Sequence, residues 1–497
     1  MSSVSDRALT AVKWSYLGVV ARVASQLIAN IFLARILGPE AFGVFAITLL
    51  MVGPIKLFSE MGMGSALIQK QTISQEDVDT VFTWLQVAGI VVAVIVFAAA
   101  DYVAWFFNNP AAAQSIRYVS MVFLFYPATL IASSLLQRSL NLKAIQIASV
   151  TAYVLGFIVI GVFCAISGLG VLSLILAFVS QAVLECVLLL AQAKPRLRFL
   201  FRRIDGHLIH FAKRVVPTNL TNWVLDSADN FLIGKIFGAK SLGMYAVVFN
   251  FVRTPTGHLV TTLQNILFST SSRLQHDNER LTRSYIATVS AVALVAIPIF
   301  AGIAAISETC IAAVYGPEWF SASPLLLPLA LAMPLHCLTA VTGPILWGKG
   351  RVGQEFRVSL ATGVIMVLSI ILLAKISLVA AVWGVFAVYA LRAIWMVATI
   401  SKICAIPVRT IVNVLAPGAM LGSLVSGSLF LVNLQLLEHN LTALSRFGFS
   451  FVLATLISLT WLVFFGQRVL PDDLKLIVTR LIANWPFLQK CWTKCVA

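Results

Sequence analysis

Apolar stretches of about 20 residues, the length a helix needs to cross the hydrocarbon layer of a bilayer, recur from one end of this chain to the other. Divided at their polar interruptions, they predict spans at 12–36, 42–58, 80–100, 117–136, 144–166, 170–192, 211–236, 242–267, 283–306, 322–346, 355–374, 378–401, 411–433 and 443–466. That is an all-α polytopic membrane protein of about fourteen transmembrane helices, with no stretch left for a large soluble domain. The opening segment, MSSVSDRALTAVKW, lacks the short apolar core and small-residue cleavage site of a signal peptide and reads as part of a retained first helix.

The polar positions between the spans carry an orientation. Arg138 and Lys143, then Lys194, Arg196, Arg198, Arg202 and Arg203, then Arg273, Arg280 and Arg283, then Lys349, Arg351 and Arg357 fall in alternate loops, and the intervening loops are almost free of positive charge. Positive loops stay inside, so an even number of spans places both termini in the cytoplasm. In the tail, Leu474, Ile477, Val478, Leu481 and Ile482 share one helical face with Lys475 and Arg480 off it, the pattern of a helix lying on the inner leaflet.

Composition agrees: 60% of the 497 residues are hydrophobic and 11% charged, where a soluble domain has about a quarter charged. The net charge of +16 sits beside helix ends, where anionic headgroups attract it, so it implies membrane lipids as partners and not nucleic acid. Seven cysteines are scattered. Only Cys491 and Cys495 are close in sequence, without a companion histidine, so no metal is expected.

A repeat lies within the pattern. NIFLARILGPEAFGVFA, from Asn30 to Ala46, aligns without a gap on NFLIGKIFGAKSLGMYA, from Asn230 to Ala246, at a constant offset of 200 residues. Asn30/Asn230, Ile36/Ile236, Gly38/Gly238, Gly43/Gly243 and Ala46/Ala246 are identical, and Arg35/Lys235 precede the glycines in both. Glycine accepts turn dihedrals that other residues resist, and the cation would snorkel to the interface. Two six-span lobes of the same orientation follow, the parallel-repeat architecture of one class of transporters. The expected division is 1–195 for the first lobe, 196–210 for a basic linker, 211–403 for the second lobe, 404–466 for two further helices, and 467–497 for the amphipathic tail.

Within the spans, polar residues stand where lipid would exclude them. Asn219, Asn222, Asp226, Asp229 and Asn230 share one face of the seventh span, and Arg22, Gln26 and Asn30 one face of the first. The eighth span adds Asn250, Arg253, Gly257, Thr261 and Gln264, the second Lys56, the sixth Glu185 and the twelfth Arg392. A charge at mid-bilayer costs at least about 2.5 kcal/mol, so such stripes imply a wet cavity or ion pairs between helices. The cations suit an anionic group, and arginine can grip phosphate oxygens in bidentate fashion.

ARILGPEAFGVFAI with the following FSEMGMGSALIQ, then LLQRSLNLKAI from Leu135 to Ile145, then DSADNFLIGKIFGAKSLGMYA resemble the Wzx-type polysaccharide flippases, nearest to the branch typified by the colanic-acid exporter. That superfamily, of MOP exporters, also contains the multidrug and toxic-compound extrusion (MATE) proteins and the lipid II flippases. The resemblance implies a V-shaped pair of MATE-like lobes plus two C-terminal helices, residence in the bacterial inner membrane, and export of undecaprenyl-pyrophosphate-linked oligosaccharide repeat units. In lipid II flippases, cations on the first, second and eighth helices are associated with the pyrophosphate, and the matching helices here offer Arg22, Lys56 and Arg253.

The expected mechanism is alternating access. Arg22, Arg253 and Lys56 take the pyrophosphate, while Gln26, Asn30, Asn219, Asn222 and Asn250 line the cavity. Asp226, Asp229 and Glu185 are the candidates for coupling to a proton or sodium ion, and no other cofactor is expected. Polysaccharide polymerase or export machinery is the expected protein partner. The rival transport reading is a MATE-type multidrug or cation antiporter, which would use the acidic residues as its main binding groups. A membrane-embedded polymerase, ligase or acyltransferase is disfavoured, since none of the six histidines opens an HxxxD motif and no DxD, Walker or zinc signature occurs.

Overall fold

The computed structural model describes residues 4–53, 67, 73–202, 206–273, 278–439, 441–469 and 475. Lys56 and the tail beyond Lys475 therefore lie outside the described residues, and within the helices the side chains of Asn219, Asn222, Asp226 and Thr261 do too. Every long regular element among the described residues is a helix. Hydrocarbon offers backbone groups no partner, and a helix satisfies them internally. Large apolar side chains point outward where lipid would cover them, Phe163 71% exposed, Ile376 74% and Phe451 67%.

The helices are α1 (Val4–Leu50), α2 (Gln75–Phe106), α3 (Ala111–Ser120), α4 (Val122–Arg138), α5 (Leu142–Tyr153, continued to Ile166), α6 (Val171–Ala193) and α7 (Gly206–Arg273). They are followed by α8 (Asn278–Ala305), α9 (Ser307–Val314), α10 (Ser323–Gly348), α11 (Val352–Leu373), α12 (Leu378–Cys404), α13 (Val408–Glu438) and α14 (Ala443–Val469). Twelve helical segments among the described residues are long and apolar enough to cross a membrane. The chain is a multi-pass membrane protein. Two of the twelve contain two arms each, since α1 breaks at Gly38 (φ 70°, ψ 177°) and α7 at Gly238 (φ 82°, ψ 177°). Counting the arms separately recovers the expected number of spans.

The break in α7 is a reversal. Tyr245 Oη donates to Asp229 Oδ2 at 2.6 Å, although sixteen residues of straight helix would separate them by about 24 Å. The chain must double back at Gly238, whose positive φ only glycine adopts cheaply. Lys235, just before the turn, donates to the carbonyl of Phe106 and lies 4.7 Å from that residue's ring centroid. It caps the C-terminal end of α2, where a cation is favoured. Lys235 is therefore a structural anchor.

Gly43 and Gly243 have a different role from the turn glycines. A Cβ on Gly43 would stand 1.8 Å from the carbonyl oxygen of Ala239, and one on Gly243 would stand 2.0 Å from that of Pro39. Pro39 and Ala239 are themselves repeat partners, so the contact is reciprocal, as at a two-fold axis. These glycines let two helix backbones cross in contact. The repeat seen in the sequence is a symmetric feature of the structure.

By packing, the chain divides into two units, Met1–Val247 and Val248–Ala497. The division falls within the second arm of α7, just past the glycine crossing. In the first unit, the basic segment after α6 is strapped along α2. Gln75, Asp79 and Thr83, spaced to share one face of α2, take the backbone of alternate residues. Gln75 Nε2 donates to the carbonyl of Arg196, Arg198 N donates to Asp79 Oδ1 at 3.1 Å, and Leu200 N to Thr83 Oγ1 at 2.7 Å. Trp84 Nε1 continues the row by donating to the carbonyl of Arg202 at 2.9 Å. The intervening side chains pack back on the helix, Leu197 against the cluster of Leu67, Val78 and Val81, and Phe199 against Phe82.

In the second unit α13 lies close along α8, because Gly418 and Gly422 leave room for the backbone of Ala293 and for Ile297. This small-residue spacing lets membrane helices approach without a hydrophobic driving force. Thr309 Oγ1 on α9 donates to Asn433 Oδ1 on α13 at 2.8 Å.

Candidate functional site

The first unit contains a partly open cavity of about 310 Å³ lined by α1, α4, α5 and α6. Arg22 enters from α1 and Glu185 from α6; α4 contributes Phe125, Tyr126, Thr129 and Ser133, and Ala182 lies one turn before Glu185. Ser149 on α5 donates to Glu185 Oε1 and fixes the carboxylate. Tyr153 on α5 lies within electrostatic reach of Arg22 and stacks on Phe157 at 4.7 Å between centroids. From Val154 to Gly161 α5 widens into a π-helix, a geometry that recurs at functional sites because it shifts the register of side chains along one face. Thus Arg22 and Glu185, expected from sequence on separate helices, face one volume.

The second unit holds the counterpart of this arrangement. Leu140 (φ 57°) and Gly350 (φ 69°) take the same left-handed turn before α5 and α11. Set in register, they place Tyr126 with His336, Thr129 with Thr339, Ile145 with Glu355, and Ser149 with Ser359. Aligning the starts of α6 and α12 places Ala182 with Tyr389 and Glu185 with Arg392. The contacts follow the alignment. Arg392 Nη2 donates to Ser359 Oγ at 2.9 Å, where the first unit has Ser149 donating to Glu185. Glu355 lies 3.8 Å from Arg392 and accepts from Ser359 Oγ at 3.1 Å. The His336 and Tyr389 rings meet edge to face, 5.7 Å between centroids. A glutamate, ion-paired with Arg392, and a tyrosine ring occupy the positions where the first unit has Ile145 and Ala182.

The remaining expected residues fall elsewhere. Arg253 sits 5.3 Å over the Phe249 ring and acts electrostatically on His336 together with Arg392. Gln264 Nε2 donates to the carbonyl of Ala340 at 3.2 Å, and Asn250 is exposed. Gln26 and Asn30 are half-buried, and Asn30 Oδ1 is buried without a hydrogen-bond partner among the described residues. Asp229 is buried and accepts from Tyr245 Oη, from Asn230 N at 2.7 Å and from Asn230 Nδ2 at 2.9 Å. A short charge-assisted bond of this kind compensates the carboxylate for lost water. In the first repeat, Ala29 and Phe45 stand in place of Asp229 and Tyr245.

Sequence reasoning missed Tyr126, Thr129, Ser133 and Ser149 around the cavity, and His336, Glu355, Ser359 and Tyr389 in its counterpart. One signal was present. Ser149 and Ser359 lie equally far from the starts of α5 and α11, and aligning helix by helix, instead of at one fixed offset, pairs them.

A bundle of membrane helices built on two related repeats, with a cavity between helices that Arg22 and Glu185 face, defines an integral-membrane transporter fold. A lipid II flippase, MurJ, in an inward closed conformation superimposes with a TM-score of 0.73 at 12% identity, over 93% of this chain and 100% of that one. A multidrug-resistance MATE transporter of the MOP superfamily, inward-facing, gives 0.62 at 13% identity, over 78% of this chain and 99% of that one. Residues 32–324 match the model of the polysaccharide biosynthesis protein family Polysacc_synt_3, and the chain belongs to that family. It is 25% identical over 362 residues to the lipopolysaccharide biosynthesis protein WzxC of Escherichia coli (72% of this chain, 73% of that one). It is 27% identical over 356 residues to the succinoglycan biosynthesis transport protein ExoT of Rhizobium meliloti (71% and 72%), and 23% identical over 360 residues to the teichuronic acid biosynthesis protein TuaB of Bacillus subtilis (72% and 74%).

Proposed function

We propose that this protein is a flippase that carries undecaprenyl-pyrophosphate-linked oligosaccharide repeat units from the cytoplasmic to the periplasmic leaflet of a bacterial inner membrane, by alternating access, for surface or exopolysaccharide synthesis. The observation that carries the reading is the joint occurrence, in one chain, of membership in a polysaccharide biosynthesis family and a fold that matches a lipid-linked substrate flippase along its full length. The protein transports and does not catalyse. Both termini are assigned to the cytoplasm.

Arg22, Arg253 and Lys56 are the cations assigned to recognition of the anionic headgroup. The guanidinium groups of Arg22 and Arg253 offer paired donors that match phosphate oxygens. Outward movement of the pyrophosphate is favoured by an inside-negative potential by about 2.3 kcal/mol per charge per 100 mV. Exchange of a proton or sodium ion is assigned to Asp226 and Asp229.

Substituting Arg22→Ala and Arg253→Ala singly, in a strain lacking the chromosomal copy, tests the reading. Each variant should lose surface polysaccharide and accumulate lipid-linked repeat units at wild-type protein level. Normal polysaccharide at that level contradicts it, and a changed drug sensitivity in its place points to the antiporter.

A further inference from the structure

We propose that the cavity of the first unit is a sugar subsite that holds one pyranose ring of the cargo, the ring next to the pyrophosphate, and so takes part in choosing the repeat unit. The proposal rests on the reading of the cargo as a lipid-linked oligosaccharide. It adds to that reading a site, a ligand class and, beside Arg22, residues that are not headgroup cations.

The chemistry of the lining selects the ligand. Arg22 only donates hydrogen bonds, Glu185 accepts one from Ser149, and Thr129 and Ser133 already donate to the carbonyls of Phe125 and Leu130, which leaves their oxygens as acceptors. The lining therefore offers donors and acceptors together. A neutral polyol suits both, because each of its hydroxyls donates and accepts. A pyranose also has an apolar C–H face, and the rings of Phe125 and Tyr126 supply apolar surface on α4 for it. The volume of about 310 Å³ is at the lower end of small-molecule sites, which begin near 300 Å³. It accommodates one ring and no chain.

Two further features assign the cavity to binding and not to loose packing. Ser149 holds the Glu185 carboxyl group in place, and a carboxyl group has more hydrogen-bonding positions than one bond fills, which leaves capacity for sugar hydroxyls. In the second unit the equivalent position of Ala182 carries Tyr389, and the equivalent of Ile145 carries Glu355, paired with Arg392. The second unit thus carries larger and charged side chains at the positions where the first has Ala182 and Ile145. Glu185 is given to cargo recognition here, which leaves Asp226 and Asp229 for ion exchange.

The test uses the full chain in liposomes with two probes, undecaprenyl pyrophosphate and undecaprenyl pyrophosphate bearing a single glucose or galactose. Transport is read as exposure to a membrane-impermeant pyrophosphatase. Ala182→Tyr installs the second unit's ring in the cavity, and Glu185→Gln removes the charge with little change of shape. The rate ratio of sugar-bearing to sugar-free probe should fall at least fivefold in both variants for the sugar that wild type prefers. A smaller fall overturns the subsite and leaves the flippase reading standing. Wild-type protein that moves neither probe overturns the flippase reading, and the subsite with it. If Ala182→Tyr does not elute as a single folded species, the near-isosteric Glu185→Gln decides.

Discussion

Ser149–Glu185 in the first unit and Ser359–Arg392 in the second are one helix-to-helix hydrogen bond with donor and acceptor exchanged and the charge on the α6/α12 side reversed. In the first unit the serine donates to a carboxylate that faces a cavity shared with Arg22. In the second it accepts from a guanidinium whose carboxylate partner, Glu355, stands 3.8 Å away on the neighbouring helix. Duplication preserved where α5 meets α6 and α11 meets α12, while the side chains diverged into a carboxylate facing a cavity in one unit and an ion pair between helices in the other. The π-helical stretch of α5 sharpens the difference, since α11 is α-helical throughout. Charges inside membrane helices thus divide into those that meet their partners within the fold and those that face a volume.

Where the repeats agree, substitution should hurt both alike. Gly43→Ala and Gly243→Ala each push a methyl group to within 2.0 Å of a carbonyl oxygen, so both should lower stability by about 3 kcal/mol or more, at the upper end of overpacking costs. Thermal unfolding of the purified protein checks this. Damage from only one of the two would break the symmetry.

Where the repeats differ, the effects should separate. Arg392→Ala leaves Glu355 and Ser359 without their guanidinium, and should cost about 1–3 kcal/mol, the penalty for stranding a partly buried polar group. Tyr245→Phe installs the residue type that the first repeat has at Phe45 and takes one donor from Asp229. It should cost about 1–2 kcal/mol, whereas Phe45→Leu touches no carboxylate and should cost only what its lost packing costs. Smallest is Thr83→Val on the strap. It removes the acceptor for Leu200 N and should cost about 1 kcal/mol, with faster amide exchange at Leu200.

Much of this was legible in the sequence. Length and apolarity of the spans carried the fold class, and the glycines at 38 and 238 carried the repeat. Lys235 was read as an anchor from its place before the turn, and it does cap α2. The two glycines at 43 and 243 were visible as register marks, but their function as a crossing was not, because a close approach of two backbones has no signature in either helix alone. The cavity was half visible. Arg22 and Glu185 stood out as charges in apolar spans, while Thr129, Ser133 and Ser149 are unremarkable residues that gain meaning only when three helices bring them together. The strap was hidden for the same reason. Its alternation of arginine with leucine and phenylalanine reads as a basic loop until Asp79 and Thr83 are seen to take its backbone.

The division of roles between the two units is the central claim, and one paired measurement addresses it most directly. Glu185→Gln and Arg392→Ala are each assayed for thermal unfolding and for transport of a lipid-linked saccharide in liposomes, with rates taken per folded molecule. Glu185→Gln should unfold close to wild type, within about 1 kcal/mol, a near-isosteric change that keeps the Ser149 contact, and should lose transport. Arg392→Ala should unfold earlier and transport at close to the wild-type rate. Loss of transport in Arg392→Ala with Glu185→Gln unaffected, or the same profile in both, would contradict the claim.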